Sequence, residues 1–377
     1  MKITNTFDVL VVYTENVATS SSSKKFGNSS PFALAVDREH YDIAYAYFLM
    51  QCKRAGLTAA FTTSSDIIGP GKCKSYWEYM NKSWLKVNEQ GFAPIIFDKV
   101  SPLSVKLAYK RDILFSNEKA QPFNDRELLL LFNDKLKTFK KLGDHTIPTV
   151  NITLKTVTNS ILKLNSLIAQ HKNHHDFTTE YILKDRFGAG GIDIYKIDMN
   201  PVEEISRILK SNKNVSFILQ PFARFDEGYT YKKRRGYTDI RIIYSQGKIV
   251  QRYIRTAKEK DFRCNEHQGG SVIYINSSQV PECVTAASKA ILMILDSENS
   301  LFALDFIVSN GGNAYFLEGN INPGIYWGLN SYEDKINTKR LIRVIVKELA
   351  RRTDKSYSFP LHLVSAQRPT PVLSASL

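Results

Sequence analysis

Residues 301–324, LFALDFIVSNGGNAYFLEGNINPG, limit the fold more than any other stretch, because two apolar runs flank a glycine-rich turn. This pattern predicts an antiparallel hairpin with its turn near Asn310. If Asn310 pairs with Asn313 across a two-residue turn, Asp305 lies directly opposite Glu318. A three-residue loop would separate the two carboxylates. The hairpin therefore predicts a pair of acids at one place, on the condition that the turn is short.

The second strand of this hairpin carries two polar side chains one residue apart. Alternation along a strand places Glu318 and Asn320 on one face. With Asp305 they form an all-oxygen cluster, which suits Mg²⁺ better than zinc and indicates a phosphate-bearing nucleotide nearby. The alternative is an exposed hairpin face, although burial of Asp305 without a partner in its apolar run would be costly. From spacing alone both interpretations stay open.

A glycine-rich loop, KDRFGAGGI, follows a predicted strand. Backbone N–H groups at Gly188, Gly190 and Gly191 could approach phosphates, and Lys184 could add a cation. The loop has neither the P-loop pattern nor a following helix, so the P-loop and Rossmann fingerprints are excluded. A glycine-rich hairpin turn remains the alternative.

The stretch TDIRIIYSQGKIVQRYIRTAKEKDFRCNEHQGGS predicts a long hairpin that turns at residues 245–247. Asp239, Arg241 and Arg255 share a face, and Arg263 and Asn265 follow in a polar loop. Arginines at strand spacing can bind phosphate or carboxylate oxygens through two hydrogen bonds. The alternative is a solvated basic hairpin.

Composition sets wider bounds. The 377 residues predict two or three domains, and no apolar run is long enough to predict a membrane span. The N-terminus reads as a first strand rather than a signal peptide, which predicts a cytoplasmic protein. Four scattered cysteines predict neither a disulfide framework nor a zinc site. A formal net charge of +14 favours polyanions or acidic substrates without choosing among them.

Periodicity predicts the domain order. Strand, helix and strand alternate before residue 100, which indicates a small α/β domain with a parallel sheet. A helical region is predicted over residues 124–143, with Asn124 and Glu127 as its capping pair. Helices are also predicted over 201–212, 281–298 and 332–354, and the last residues read as a loosely held tail.

These elements, in their order, resemble the ATP-grasp superfamily, and within it the RimK-like and glutathione-synthetase-like carboxylate–amine ligases. The similarity covers roughly residues 130–330, and residues 1–125 resemble the preceding α/β domain less closely. The segments that carry it are NDKLKTFKKLGDHTIPTV, ILKDRFGAGGIDI, FILQPFA, DIRIIYSQGKIVQRYIRTAKEKDFRCNEHQGG and LDFIVSNGGNAYFLEGNINPG. The resemblance implies a mixed α/β fold (α+β ATP-grasp). Its divisions are a pre-ATP-grasp domain over 1–125, an ATP-grasp domain over 126–352 with lobes at about 130–222 and 223–352, and a tail over 353–377.

The same resemblance implies a role for each matching residue. Lys135 and Lys184 contact ATP, with Lys184 and the glycines of the loop at the phosphates. The adenine pocket is formed by Gln220, Pro221, Phe222 and Ala223. Asp239 reaches the ribose, and Arg263 and Asn265 reach the phosphates. Mg²⁺, as two ions with Mn²⁺ as an alternative, is held by Asp305, Glu318 and Asn320. Arg241 and Arg255 bind the carboxylate substrate or its acyl phosphate, and together with Arg263 and Asn265 form the expected catalytic set.

Two positions depart from the family pattern. Pro221 stands where many relatives have Glu, which removes a side chain and an N–H beside the adenine and leaves nucleotide preference open. Cys264 lies between Arg263 and Asn265, and the sequence places no activating histidine near it, so a passive thiol is favoured over a nucleophile. A cluster of histidines, at positions 171, 174 and 175, is assigned to a polar loop rather than a metal site.

The implied reaction joins a carboxylate to an amine. The substrates are expected to be small molecules or peptides, and the positive net charge favours acidic ones. ATP is consumed to ADP and phosphate through an acyl phosphate, and relatives are commonly homodimers. One alternative is a kinase on the same fold. Another is a non-catalytic nucleotide- or polyanion-binding module, suggested by the basic run 232–235, although nucleic acid is the less favoured partner.

Overall fold

The computed structural model describes residues 4–24, 29–33, 35, 38–100, 105–232, 236–296, 299–325, 327–328 and 331–353. Residues 354–377 of the predicted tail and residues 233–235 of the basic run lie outside these ranges. Among the described residues, none of the helices combines the length and the apolar character that a membrane crossing requires.

The helices and strands follow the predicted alternation. The helices are α1 Arg38–Arg54, α2 Val105–Leu114, α3 Arg126–Asn133, α4 Lys135–Leu142, α5 Val157–Gln170, α6 Pro201–Ser211, α7 Glu282–Leu295 and α8 Tyr332–Thr353. The strands are β1 Thr4–Thr6, β2 Val9–Tyr13, β3 Ala59–Thr63, β4 Ile67–Gly69, β5 Lys72–Cys73, β6 Tyr76–Met80, β7 Ser83–Val87, β8 Gln90–Phe92, β9 Ile95–Lys99, β10 Gln121–Pro122, β11 Val150–Ile152, β12 Phe177–Asp185, β13 Ile194–Ile197, β14 Phe217–Ala223, β15 Thr238–Ser245, β16 Lys248–Thr256, β17 Ser271–Tyr274, β18 Leu301–Val308 and β19 Ala314–Asn320.

The first part of the chain forms a six-stranded sheet in the order β10-β9-β2-β3-β6-β7. Strands β10, β9, β2 and β3 are parallel, as predicted, and β6 and β7 add an antiparallel hairpin at one edge. A smaller sheet, β1-β8-β5-β4, lies in the same part of the chain. The apolar runs of β2 and β9 are buried because helices and the second half of the molecule cover them.

Two antiparallel sheets follow. One has the order β11-β14-β12-β13 and carries the glycine-rich loop between β12 and β13. The other has the order β17-β16-β15-β18-β19 and carries the arginines and carboxylates identified in the sequence. The mixed α/β architecture predicted from the resemblance is therefore confirmed.

The helical region predicted over residues 124–143 is confirmed, but it is divided and its predicted N-cap is wrong. The described structure has two helices, α3 and α4, separated at Asp134, whose side chain accepts hydrogen bonds from the first N–H groups of α4. The N-cap of α3 is Asp125 rather than Asn124, because Asp125 accepts from the N–H groups at the start of α3. The side chain of Asn124 instead donates to Ile321 O at 2.6 Å and accepts from Leu301 N at 2.8 Å. Asn124 thus ties the start of β18 to the residue that follows β19, at the open end of the hairpin.

The β18–β19 hairpin reaches the predicted pairing by an unpredicted route. The turn is longer than two residues, since Ser309 N donates to Asn313 O at 2.8 Å and residues 310–312 form the loop. That loop alone would separate the two acids. A β-bulge at Leu317 adds one residue to β19 and restores the register, so Asp305 lies opposite Glu318. The predicted turn is wrong, and the predicted pair is confirmed.

One hydrophobic core joins the two ends of the described chain. It combines side chains of β2, β3, α1 and β9 with side chains of β15, β16 and β18, and with the apolar face of α8. The last helix therefore packs on the first one. The division at residue 125 stays a prediction, because this core crosses it.

Candidate functional site

Four charged side chains interlock at the centre of the five-stranded sheet. Arg241 donates to Asp305 through Nε and Nη2, both at 2.6 Å. Arg255 donates to Asp239 through Nε at 2.8 Å and Nη2 at 2.7 Å. The same Nη2 also reaches Asp305 Oδ2 at 2.8 Å. All four are buried, so two arginines and two aspartates form a neutral group.

The strand order creates this group. Strand β15 lies between β16 and β18, with Asp239 paired to Arg255 on one side and Arg241 paired to Asp305 on the other. Burial opposes ionisation of Asp305, but the guanidinium groups of Arg241 and Arg255 outweigh it and lower the pKa of that carboxyl. Burial likewise opposes the charge of Arg241 and Arg255, but the aspartates outweigh it and raise the pKa of both guanidinium groups.

Glu318 differs from the other predicted metal ligands. Its carboxylate makes no hydrogen bond or ion pair within the described part of the chain, and it lines three neighbouring cavities. Asn320 Oδ1 accepts one hydrogen bond, from Asn322 N at 2.9 Å. Asp305 accepts three hydrogen bonds, which leaves about one of its roughly four acceptor positions. The donor set fits a hard cation, with Glu318 as the ligand that has no competing partner among the described residues.

An inner cavity of about 120 Å³ lies between the two antiparallel sheets. It gathers the predicted metal ligands Asp305 and Glu318 with residues predicted for the nucleotide: Lys135, Lys184, Gln220, Pro221, Phe222, Ala223, Asp239, Arg263 and Asn265. Gln220 is fixed by a hydrogen bond from its Nε2 to Thr149 Oγ1 at 2.6 Å. The Phe222 ring lies beneath Lys196 Nζ, 4.1 Å from its centroid. The structure therefore brings these residues together from separate elements.

Lys184 is a buried cation in this cavity. Burial and the neighbouring Lys135 lower the pKa of Lys184 to about 7, although Glu318 opposes the shift. Its Nζ lies 4.7 Å from the ring centroid of Phe139. A lysine with this pKa gains its proton readily when an anion arrives beside it.

The glycine-rich loop and the polar loop that follows β16 touch each other. Arg263 Nη1 donates to Gly191 O at 3.3 Å, and Gln268 Nε2 donates to Gly190 O at 3.2 Å. On the other side of the glycine loop, Lys135 Nζ donates to Gly188 O. Both Gly190 and Gly191 have positive φ, at 70° and 76°. The loop therefore spans from α4 to the segment that follows β16.

A wider cavity of about 370 Å³ adjoins the inner one and shares Arg255, Asn265 and Glu318 with it. Arg241, Gly190 and Asn320 also line it. Most of its other lining residues were not found from the sequence, among them the ionisable Glu266, Tyr274 and Asp334. Asp334 accepts a hydrogen bond from Tyr274, yet burial is the main cause that raises the pKa of that phenol. No sequence signal could identify them, because they come from separate elements.

Lys99 is a further residue that sequence reasoning missed. It lies at the end of β9, and its Nζ donates to Asn322 O at 3.2 Å and to Pro323 O at 3.0 Å. Burial lowers the pKa of Lys99 to about 8, with Asp98 opposing the shift. This lysine ties the first sheet to the turn that follows β19. A charged residue ending an apolar strand was the available signal.

Asp134 and Arg186 form a second ion pair beside the inner cavity. Arg186 donates through Nε and Nη2 to the two carboxylate oxygens, both at 2.6 Å. Asp134 also caps α4, and Lys135 N donates to Arg186 O at 3.1 Å. The pair fixes α4, and with it Lys135, to the strand before the glycine loop.

The Cys264 thiol is buried, and Sγ lies 3.3 Å from Tyr237 O. Burial raises the pKa of this thiol well above its usual range, which disfavours the thiolate. Pro221 lies within β14 opposite Tyr181 and lines the inner cavity with its neighbours. The buried thiol agrees with the passive role predicted for Cys264, and Pro221 lies where the predicted nucleotide pocket requires it.

Comparison with known proteins places this site in a family. A model of the RimK-like ATP-grasp domain matches residues 132–345, which is more than half of the chain. This chain belongs to the RimK-like ATP-grasp family. The matched range contains every predicted site residue, and the family binds ATP.

Curated members of the RimK-like ATP-grasp family are similar over part of their length. A probable alpha-L-glutamate ligase of Marinomonas sp. (strain MWYL1) is 29% identical over 178 residues, 46% of this chain and 56% of that protein. One from Hydrogenovibrio crunogenus (strain DSM 25203 / XCL-2) is 32% identical over 125 residues, 33% of this chain and 39% of that protein. The chain spans about half, or less, of the curated relatives it matches.

Solved structures share the ATP-grasp fold over nearly the whole chain. D-cycloserine synthetase DcsG is 14% identical with a TM-score of 0.55, covering 92% of this chain and 100% of that one. D-alanyl-alanine synthetase A of Vibrio cholerae O1 biovar eltor str. N16961 is 11% identical with a TM-score of 0.55, covering 92% and 98%. At these identities the likeness concerns the fold alone.

Proposed function

We propose that this protein uses ATP to join a carboxylate to an amine, through an acyl phosphate, and releases ADP and phosphate. The position of Glu318 carries the proposal. Its carboxylate, which has no ion pair among the described residues, lies where the inner cavity, lined by two lysines, meets the wider cavity, lined by two arginines. Glu318 would hold a cation at this junction, and the cation would supply charge neutralisation for phosphoryl transfer to a carboxylate.

A carboxylate needs activation, because its leaving group in direct amide formation would be oxide. In the proposed sequence, a carboxylate oxygen attacks the γ-phosphorus, and the bond to the ADP oxygen breaks. The amine, made neutral when its ammonium form gives up a proton to solvent, then attacks the acyl carbon. Phosphate leaves with the electron pair of the broken C–O bond and takes up the second proton that the nitrogen releases. Magnesium, when bound, supplies charge neutralisation at the transferring phosphoryl group. Mn²⁺ is an alternative ion, and two ions remain the proposed number.

The protein's own residues position these groups. Lys135 and Lys184 face the phosphates from the inner cavity, and Lys184 takes up a proton as the anion binds. Hydrogen bonds to the aspartates occupy Nε and Nη2 of Arg255, so its Nη1 has donors left for the acyl group. The contact between Arg263 and the glycine loop closes the inner cavity and limits hydrolysis of the acyl phosphate.

The local charges change the expectation of acidic substrates. The arginines of the wider cavity are neutralised by Asp239 and Asp305, and three further carboxylates line it, those of Glu266, Glu318 and Asp334. The cavity therefore does not share the positive charge of the whole chain. This supports an amine substrate that arrives as a cation, and it removes the net charge as an argument for an acidic acyl donor.

The test pairs candidate acids and amines, measures ADP release, and identifies products by mass spectrometry. With the carboxylate labelled with ¹⁸O, one labelled oxygen is expected in the released phosphate, because the acid oxygen that attacks phosphorus leaves with it. Hydroxylamine should trap a hydroxamate. Release of unlabelled phosphate would overturn the acyl phosphate, and a stable phosphorylated product would favour the kinase alternative.

We also propose a domain boundary near residue 125 and two lobes on either side of about residue 222. The proposed protein is a cytoplasmic homodimer, and nucleic acid is disfavoured as its partner.

A further inference from the structure

A groove of about 630 Å³ lies outside the catalytic cavities, between α1, α8 and the β6–β7 hairpin. Five basic side chains line it: Arg54, Lys82, Lys335, Lys339 and Arg343. None of the five forms an ion pair within the described ranges. The acid beside them, Asp42, accepts hydrogen bonds from Ser30 Oγ at 2.6 Å and Phe32 N at 3.3 Å. We call this surface the basic groove.

The cations of α8 are regularly spaced. Lys335, Lys339 and Arg343 lie four residues apart on one helical face, so neighbouring positions are separated by about 6 Å along the axis. Alternate residues of an extended chain repeat at about 6.6 Å on one side. The row therefore matches carboxylates at alternate positions of an extended peptide.

Aromatic rings hold these cations in place. Lys339 Nζ lies 5.3 Å from the Trp327 ring centroid and 5.8 Å from that of Tyr47. Arg343 Nε donates to Tyr47 Oη at 3.0 Å. Trp327 is only 6% exposed, so its face offers no platform for a stacked base. Because Tyr79 and Trp84 also line the groove and are only half-buried, the choice of carboxylates rests on the spacing of the cations along α8.

The tip of the β6–β7 hairpin adds an independent observation. Asn81 and Lys82 form its two-residue turn, with φ of 50° and 63°. Such a turn favours Asn-Gly, and a lysine at the second position is strained. The turn itself therefore does not account for Lys82, whose side chain lines the groove.

We propose that the basic groove binds an acidic peptide segment in extended conformation, with carboxylates on the cations of α8 and an apolar side chain against Met50 and the aromatic rings. The site adjoins the wider cavity, because Asp334 and Thr338 line that cavity from a neighbouring face of α8. The peptide is thus held beside the catalytic centre without entering it. This proposal is independent of the reaction proposed above.

Fluorescence anisotropy with a labelled peptide, Glu-Ser-Glu-Phe-Glu-Ser-Glu, tests the groove, and the same peptide with Gln for Glu is the comparison. The acidic peptide should bind, and more weakly as salt is added. The triple variant Lys335→Glu, Lys339→Glu, Arg343→Glu should weaken binding by about tenfold or more. A matched reversal on exposed lysines of the other lobe, Lys163→Glu, Lys210→Glu, Lys213→Glu, should change it by less than about twofold.

The Lys82→Gly variant separates binding from folding. Because this substitution relieves a strained turn, it should leave the melting temperature equal or higher. It should weaken peptide binding by about threefold. Equal losses in the two triple variants, or no effect of Lys82→Gly on binding, would overturn the proposal. Tighter binding of a labelled oligothymidylate that the α8 triple variant abolishes would assign the groove to nucleic acid instead.

Discussion

Arg241 and Asp305 face each other across the two central strands of the five-stranded sheet, joined by two hydrogen bonds of 2.6 Å. Removing Arg241 leaves two buried aspartates, Asp239 and Asp305, to share one arginine, Arg255. We expect Arg241→Met to lower the free energy of unfolding by about 3–5 kcal/mol. The double variant Arg241→Met, Asp305→Leu should lose much less, since Arg255 and Asp239 still form a neutral pair. Urea denaturation measures both, and equal losses would contradict the coupling.

Glu318 is expected to matter for turnover and little for stability. Because its carboxylate has no ion pair among the described residues, Glu318→Ala should change the free energy of unfolding by less than about 0.5 kcal/mol. ADP release should fall at least about a hundredfold, as charge neutralisation at the phosphoryl group is lost. The exposed Glu118→Ala is the matched control. Turnover retained in Glu318→Ala would refute the metal assignment.

ADP release is expected to depend on a bound divalent metal ion. Chelation with EDTA should stop ADP release, and added Mg²⁺ or Mn²⁺ should restore it, because both prefer oxygen ligands. Restoration is measured as a titration of initial rate against free metal. Zinc restoring the rate better than magnesium would contradict the all-oxygen donor set.

We expect the protein to take up a proton at Lys184 when it binds a nucleotide. With a pKa of about 7, it is mostly neutral at pH 8, and phosphate oxygens beside it raise that pKa. Calorimetry with a non-hydrolysable ATP analogue, in buffers of different ionisation enthalpy, should show nearly one proton taken up at pH 8 and little at pH 6. Lys184→Met should abolish the uptake. Uptake unchanged in that variant would assign the proton elsewhere.

The same lysine has a defined effect on stability. Its pKa is about 7 when folded and near the ordinary 10.5 when unfolded, so between these values the unfolded chain binds more protons. The Lys184 contribution to the free energy of unfolding therefore rises with pH across this window. Urea unfolding at pH 7 and pH 10 gives the change in the free energy of unfolding with pH for the protein and for Lys184→Met. The difference between these two changes measures the Lys184 contribution.

The contact between the two loops depends on Gly191. A Cβ there would lie 2.9 Å from Asn265 Oδ1 and 3.0 Å from Gln268 Cγ, and φ is +76°. Gly191→Ala should raise the KM for ATP by about tenfold, because displaced loops misplace the groups that bind the phosphates. Gly143→Ala is the control for positive φ, since nothing lies within 4 Å of its Cβ position. An equal KM change in both variants would mean that strain alone is responsible.

The local features of the site were predictable, and the long-range ones were not. Asp305 and Glu318 could be paired because strand alternation and a turn signal lie within one short segment. The bulge at Leu317 could not be predicted, because a bulge depends on how the strand packs rather than on its own residues. The longer turn shifts the strand register by one residue, and the bulge shifts it back. The predicted pair is therefore found although the predicted turn is not.

Charge partners are harder to predict than charge positions. The sequence places Asp239, Arg241 and Arg255 on one face of a hairpin, but their link to Asp305 requires that β18 join the sheet beside β15. Likewise, the apolar period continues through residues 126–142, so only the capping by Asp134 shows that two helices are present. Tertiary contacts override local pattern at both places.

The core shared by the first sheet and α8 has a consequence for synthesis. Roughly 240 residues separate Lys99 from Leu341, and at about 5–20 residues per second the ribosome needs some 10–50 seconds to translate them. During that interval the apolar surface that α8 later covers has no partner from its own chain. The nascent first sheet is thus an expected client for chaperones until the last described helix emerges.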